Sequence, residues 1–417
     1  MKVLWISPSP SGYKNKGNDG YYGQGWIASM EAQIKKMPNI NLAVSYITKE
    51  KSSRVEKDRV IYYPRKKPRL PYYKLILAYL RIGSLKPEKW YWPYYEKIFM
   101  DVVEDYNPDV VEIWGSEWRG GVCASKINVP VVLHVQGILL PYMNAFLPPS
   151  ISLRDYIFSK GYHPYNIWRQ YLDVKRWERN VMREKYIFRN IYNYIGRTEW
   201  DKTVVSFYQN RMLYFECGEL LRPEFYSEKY RSIPKQLTIV STISSPIYKG
   251  FDVILKAAKL MTYEMKIDFV WNVYGNVNPS FFERKLNIIH KDVNVHVCGV
   301  AKAEQIKEAL LNCTLYVHPS YIENSPNSIG EAQILGVPVV ATNVGGVSSM
   351  VDNDKSGYLV PSNDPYLMVK YILDIYYNNN KNISMGKMAQ TIARKRHDPQ
   401  TVTMNLYSIY EGLVSTI

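Results

Sequence analysis

The chain of 417 residues carries 53 Lys and Arg against 38 Asp and Glu, a formal net charge of +15, and 46% of its residues are hydrophobic. That length buries two ordinary cores, and that apolar share excludes a disordered chain. No stretch reaches the roughly 18–20 apolar residues that span a bilayer.

The opening run, residues 2–7, stops at Pro8 and is too short for a signal peptide, so it reads as a buried first strand in a cytoplasmic protein. A glycine-rich stretch follows, with Gly20, Gly23 and Gly25. It lacks the G-x-G-x-x-G order of a dinucleotide fold. Residues 24–36 and 94–106 look helical, and 42–47, 109–114, 130–135 and 191–196 look like strands. Two long insertions, 49–92 and 141–189, interrupt this half. The four cysteines, Cys123, Cys217, Cys298 and Cys313, have no metal-ligand spacing and are expected as reduced core thiols.

The first insertion interleaves basic residues, among them Arg54, Arg65, Lys66, Lys67 and Arg69, with Tyr62, Tyr63, Trp90, Trp92 and Tyr95. Three readings stay open. Cations with interface-loving aromatics suit an anionic membrane surface; the same pairing stacks on single-stranded nucleic acid; or this is a solvated face over half-buried rings.

The polar stretch 226–236 is the expected linker between a first domain, 1–225, and a second, 226–400. In the second, strands at 237–243, 268–274, 293–298, 314–318 and 337–342 alternate with amphipathic helices. Phe251, Ile254, Leu255 and Ala258 make one apolar face, and Ile306, Ala309, Leu310 and Cys313 another. Strands apolar throughout, separated by such helices, imply a parallel sheet covered on both faces, whose ligands bind at the strands' carboxyl ends. The α/β reading is therefore two doubly wound domains facing a central cleft. A terminal helix, 401–417, is expected to cross back to the first.

The most specific segment is Glu323-Asn324-Ser325-Pro326-Asn327-Ser328-Ile329-Gly330-Glu331. It lies between His318-Pro319-Ser320 and Gly336-Val337-Pro338-Val339-Val340-Ala341-Thr342, with Gly345-Gly346 after it. Ser325 reads as an N-cap and Pro326 as the first helical residue. The amides of Asn327 and Ser328 then sit at a tip that favours phosphate. Glu331 falls about 7–8 Å further along the axis. Two carboxylates thus address opposite ends of one extended ligand. Lys249-Gly250, before the Phe251 helix, offers a cation to a diphosphate.

This segment resembles the family-four retaining glycosyltransferases of the GT-B fold. The resemblance implies that Glu323 contacts donor-sugar hydroxyls, that Glu331 holds the ribose, and that Asn324, Ser325, Asn327 and Ser328 line the donor. Lys249 would neutralise the diphosphate. The family pairs that lysine with an arginine five or six residues earlier, where this chain has Ile243 or Ser244. Ser244 could hydrogen-bond phosphate without supplying charge, and Arg197, after the strand at 191–196, is a candidate to compensate. Gly23 and Gly25 would let loop amides approach the donor phosphate. His134, at the end of the strand at 130–135, stands near the point where the family has a histidine beside the reacting sugar. The expected catalytic set is Glu323, Lys249 and His134.

The implied reaction transfers a sugar with retention from a nucleotide-diphosphate sugar to a glycan or lipid-linked acceptor in cell-surface polysaccharide assembly. No metal, other cofactor or nucleic acid is expected, and the anionic membrane surface is a candidate partner. Alternatives are a catalytically weak nucleotide-sugar-binding protein, suggested by the missing arginine, and a sugar-nucleotide epimerase. A glycosidase fits poorly, because its two carboxylates must flank one bond.

Overall fold

A computed structural model describes residues 1–13, 25–49, 53–71, 86–227, 231–244 and 247–415. In chain order the elements are β1 (Lys2–Ile6), α1 (Gly25–Ile34), β2 (Asn41–Thr48), β3 (Val55–Lys57), β4 (Val60–Lys66), α2 (Lys86–Tyr106), β5 (Val110–Trp114), β6 (Val131–His134), α3 (Leu139–Asn144), α4 (Leu153–Ile157), α5 (Pro164–Arg189), β7 (Asn193–Gly196), α6 (Glu199–Ser206) and β8 (Leu213–Glu216). There follow β9 (Leu237–Thr242), α7 (Phe251–Lys259), β10 (Phe269–Tyr274), α8 (Pro279–Leu286), β11 (Val295–Gly299), α9 (Ala303–Leu311), β12 (Leu315–His318), α10 (Asn327–Ile334), β13 (Val339–Thr342), β14 (Gly357–Val360), α11 (Pro365–Tyr377), α12 (Asn379–Arg396) and α13 (Pro399–Ser415).

The chain forms two compact units: residues 1–143, 168–220 and 398–417 make the first, and 144–167 with 221–397 the second. The second unit thus takes a piece of the second insertion, and the first takes back the C-terminal helix. The passage between them falls at Leu220–Leu221, a few residues before the polar stretch that the sequence suggests as a linker.

In the first unit the sheet order is β3-β4-β2-β1-β5-β6-β7-β8, parallel except where β3 meets β4. Strand β1 shows why it is central. Val3 and Trp5 join one core cluster and Leu4 and Ile6 the other, the period of two that places alternate side chains on opposite faces. Helix α13 brings Val402, Leu406, Tyr410 and Leu413 into the cluster that holds Val3 and Trp5. Both sheet faces are therefore apolar, as parallel sheets require. The β3–β4 hairpin turns on Asp58 and Arg59, both with positive φ (52° and 68°). That matches the twist of a two-residue hairpin.

This hairpin, and the pairing of Tyr62 and Tyr63 into the sheet core, change the reading of the basic aromatic insertion. Tyr62, Tyr63, Trp92 and Tyr95 are buried, while Arg54 pairs with Asp105 and Arg65 with Asp101. Part of that composition is ordinary packing. Lys51, Lys74, Tyr72 and Tyr73 lie outside the described residues. Among the described residues no helix is long and apolar enough to cross a membrane.

The second unit's sheet runs β11-β10-β9-β12-β13-β14, all parallel. Phe251, Ile254, Leu255 and Ala258 are all buried on α7, as their spacing requires. Strands β8 and β14 are absent from the sequence reading. Of the cysteines, Cys123, Cys217 and Cys313 are buried, but Cys298 is exposed on edge strand β11, so only three are core thiols.

Candidate functional site

The second unit's strand order has a switch point. After β9 the chain moves outward to β10 and β11, then returns to the other side of β9 with β12. In open α/β sheets ligands bind at the carboxyl ends of the strands beside such a point. Lys249 follows β9 and Glu323 follows β12.

Backbone contacts fasten these two loops together. The Tyr321 amide donates to the Tyr248 carbonyl at 2.8 Å. Gly250 has φ +83°, and a Cβ there would meet the Pro319 carbonyl oxygen at 2.0 Å, so only glycine fits. A third loop, after β13, closes on Glu323 itself. Gly346 donates its amide to the Glu323 carbonyl at 3.1 Å, and a Cβ on Gly345 would strike that oxygen at 1.8 Å. Gly345 of the sequence motif is what lets this loop approach.

The Glu323 carboxylate is buried. Three donors converge on its Oε1: Lys249 Nζ at 2.5 Å, Ser320 Oγ at 2.8 Å and His318 Nε2 at 3.2 Å. No hydrogen bond reaches Oε2 from the described residues. Burial pushes the carboxyl up, but Lys249 and His318 outweigh it and hold it at about 2. The group is thus ionised with one oxygen uncommitted.

Glu331, on α10, is equally buried and meets Arg222 through two parallel bonds, Nε–Oε1 at 2.7 Å and Nη2–Oε2 at 2.8 Å. Burial pushes this carboxyl up and Arg222 opposes the shift. Between the two glutamates α10 begins at Asn327. Pro326 precedes it with ψ 117°, still extended, so the cap lies one residue later than the sequence suggests. Ser325 is no N-cap; its hydroxyl faces Met350 Sδ at 3.7 Å and receives Arg396 Nη2 at 3.5 Å. Asn324 is buried beside it, and Asn327 and Ser328 are half-buried at the helix start. A helix start leaves amides without intrahelical partners, so this tip favours an anion.

The other expected site residues fare differently. Ser244 follows β9 and is exposed. Gly25 opens α1, and Gly23 lies outside the described residues. Arg197 is buried in the first unit against the carboxylate of buried Glu219, with Nη2 on the Gln136 carbonyl at 3.1 Å and its guanidinium over Trp26. Its charge is already neutralised there, which removes the reason to expect it as the compensating cation.

His134 is wholly buried, with Nδ1 2.7 Å from Glu112 Oε1 and its ring stacked on Trp114 at 4.5 Å. The other Glu112 oxygen accepts from the Tyr410 hydroxyl, which in turn accepts from Trp5 Nε1 at 2.9 Å. This histidine is part of a buried network with Glu112, Tyr410 and Trp5. A β-strand alternates faces, and the sequence alone does not say which face a terminal histidine takes.

Arg222 was not among the residues singled out from the sequence. It lies 109 residues from Glu331, and no local pattern links the two. Among the described residues no cluster of three or more His, Cys, Asp and Glu is placed to hold a metal.

Lys249, Glu323, the start of α10 and Glu331 fall in the part of the chain that matches a family model, and Arg222 lies just before it. Residues 224–392 match the model described as glycosyl transferases group 1. The putative colanic acid biosynthesis glycosyltransferase WcaL of Escherichia coli (strain K12) is 25% identical over 193 residues, 42% of this chain and 45% of that protein. The chain thus aligns with less than half the length of the curated relatives it matches.

Solved structures extend the likeness to the whole chain. Sucrose-phosphate synthase from Thermosynechococcus elongatus superposes with a TM-score of 0.72 at 14% identity, covering 100% of both chains. Anabaena HepE, solved in complex with UDP and glucose, gives 0.64 at 15% identity, covering 99% of each. At these identities the likeness establishes the fold, which is GT-B: two parallel-sheet α/β domains with a helical C-terminus. In the second unit the Lys249–Glu323 pair lies on the loops at one switch point, the α10 tip and Glu331 on the helix that follows, and Arg222 reaches Glu331 from the segment before Pro223.

Proposed function

We propose that the chain is a retaining, metal-independent glycosyltransferase that uses a nucleotide-diphosphate sugar. The observation that carries this reading is the state of Glu323. All three of its donors sit on Oε1, so Oε2 remains to accept a sugar hydroxyl, next to a cation and a helix tip suited to a diphosphate. Glu331, further along the same helix, is the ribose contact. HepE's complexes with UDP and glucose support this class of donor.

In the proposed reaction the bond between the sugar's anomeric carbon and the diphosphate oxygen breaks as the acceptor hydroxyl attacks from the same face. The acceptor's proton passes to the departing phosphate oxygen, so no protein base is required. Lys249 and the α10 amides stabilise the leaving charge. Lys249 must then divide its hydrogen bonds between Glu323 and phosphate, which its three donors allow. The acceptor is proposed to be a lipid-linked glycan at an anionic membrane face, a reading supported by WcaL's printed role in colanic acid biosynthesis.

The test is Glu323→Ala assayed for sugar transfer, alongside melting temperature against UDP, GDP and ADP, each with and without a linked sugar. Transfer is expected to fall by about a hundredfold or more while the fold survives. Near-normal turnover refutes the sugar-contact role. A second reading, a binding protein with little turnover, is favoured by Ser244 in place of an arginine. It predicts nucleotide-induced stabilisation without transfer to any acceptor.

A further inference from the structure

We infer that Arg222 is a positioning residue for the nucleotide, holding the Glu331 carboxylate in the orientation that two ribose hydroxyls require. This rests on the reading of Glu331 as the ribose contact.

The geometry is that of a fork meeting a carboxylate, with both bonds short and parallel at 2.7 and 2.8 Å. A carboxylate has about four acceptor positions, so Arg222 takes one on each oxygen and leaves one on each for a vicinal diol. The pair is largely enclosed, with side-chain exposures of 13% for Arg222 and 6% for Glu331. A buried carboxylate without its partner would be driven toward its neutral form, which loses an acceptor.

Arg222 is itself held. Its guanidinium lies over the Phe225 ring at 4.8 Å. The amide of Leu221, one residue before it, donates to the Tyr226 hydroxyl at 3.0 Å, and that hydroxyl donates to the His397 carbonyl at 2.8 Å. From the other side, Gly330 brings α10 close to this segment. A Cβ there would meet His397 Nε2 at 2.7 Å and Leu221 Cδ2 at 3.2 Å. The two halves of the fork therefore approach on backbones with little room to slide.

The test compares ribose with a sugar lacking both hydroxyls. Of UDP, GDP and ADP, the one that raises the melting temperature most is titrated calorimetrically, together with its 2′,3′-dideoxy counterpart. The partners are the unaltered protein, Arg222→Met, Arg222→Lys, Glu331→Ala and the Arg222→Met/Glu331→Ala double variant. The unaltered protein should bind the ribonucleotide about tenfold more tightly than the dideoxy form. Arg222→Met should lose that preference while binding the dideoxy form unchanged, Arg222→Lys should keep part of it, and the double variant should equal Glu331→Ala. A folded Arg222→Met that keeps the preference overturns the inference, as does an Arg222→Met effect that persists in the Glu331→Ala background. If Glu331→Ala has no effect, or no nucleotide binds, the ribose reading itself fails and the inference falls with it.

Discussion

The substitution Glu323→Gln removes a carboxylate whose ionisation is tied to the fold, and the consequence is a change in how stability depends on pH. In the folded chain this carboxyl is held at about 2, below its ordinary 4.5, because Lys249 and His318 outweigh burial. A group with a depressed folded value adds stability that is fully present above its unfolded value and is lost as pH falls through the folded one. The window is therefore pH 4.5 down to about 2. The displacement corresponds to on the order of 3 kcal/mol at about 1.36 kcal/mol per unit. The variant's glutamine cannot titrate, so the stability difference between the two proteins should widen by about 1.4 kcal/mol for each pH unit across that window, then level off above it. For a unit of this size that is about 2–4 °C of melting temperature per kcal/mol. Calorimetric melts and urea titrations at pH 3, 4, 5 and 7 measure it, with other carboxylates cancelling in the comparison. Parallel curves over that range would show that Lys249 and His318 do not hold the charge as described.

Other outcomes follow from the same contacts. Tyr410→Phe deprives Glu112 of a donor and Trp5 Nε1 of its acceptor, both buried, at about 1–3 kcal/mol each, read as a lower urea midpoint. Gly345→Ala places a methyl against the Glu323 carbonyl and should cut transfer by about a hundredfold, measured as kcat/KM. Replacing Arg65, Lys66, Lys67 and Arg69 with serine should reduce pelleting with anionic vesicles, at on the order of 1 kcal/mol per cation that reaches the surface. Unchanged pelleting removes this cluster as an anchor.

The parts of the molecule legible in the sequence are those that local chemistry dictates. Strands apolar throughout and helices with one apolar face place β9 to β13 and α7 within a residue or two of the structure, and they bring Lys249 and Glu323 to adjacent strand ends. Strands without that signature escape. β4 carries Pro64, Arg65 and Lys66, β8 is half-exposed, and β14 opens on Gly357. The start of α10 is displaced by one residue because Pro326 fixes φ but leaves ψ open, and ψ is extended here. Side-chain partners far apart in sequence are not legible at all. Arg222 with Glu331, Arg197 with Glu219, and His134 with Glu112 are made by tertiary packing, and each pairing changes the role its residue suggests when read alone.

The way the two units share the chain bears on how such proteins can recombine. Asn144–Ile167 serves the second unit, where Asp155 takes Lys285 Nζ at 2.8 Å, although it is encoded between two stretches of the first. The last helix serves the first unit although it is encoded after the second. A hybrid gene joined once near codon 220 would therefore give the second unit a foreign 144–167 strap and the first unit a foreign final helix. Tyr410 would have to find Glu112 and Trp5 in a partner that never evolved with it. Exchange of whole units between relatives of this chain needs four joints, at 143/144, 167/168, 220/221 and 397/398, and libraries built with one should yield mostly insoluble protein.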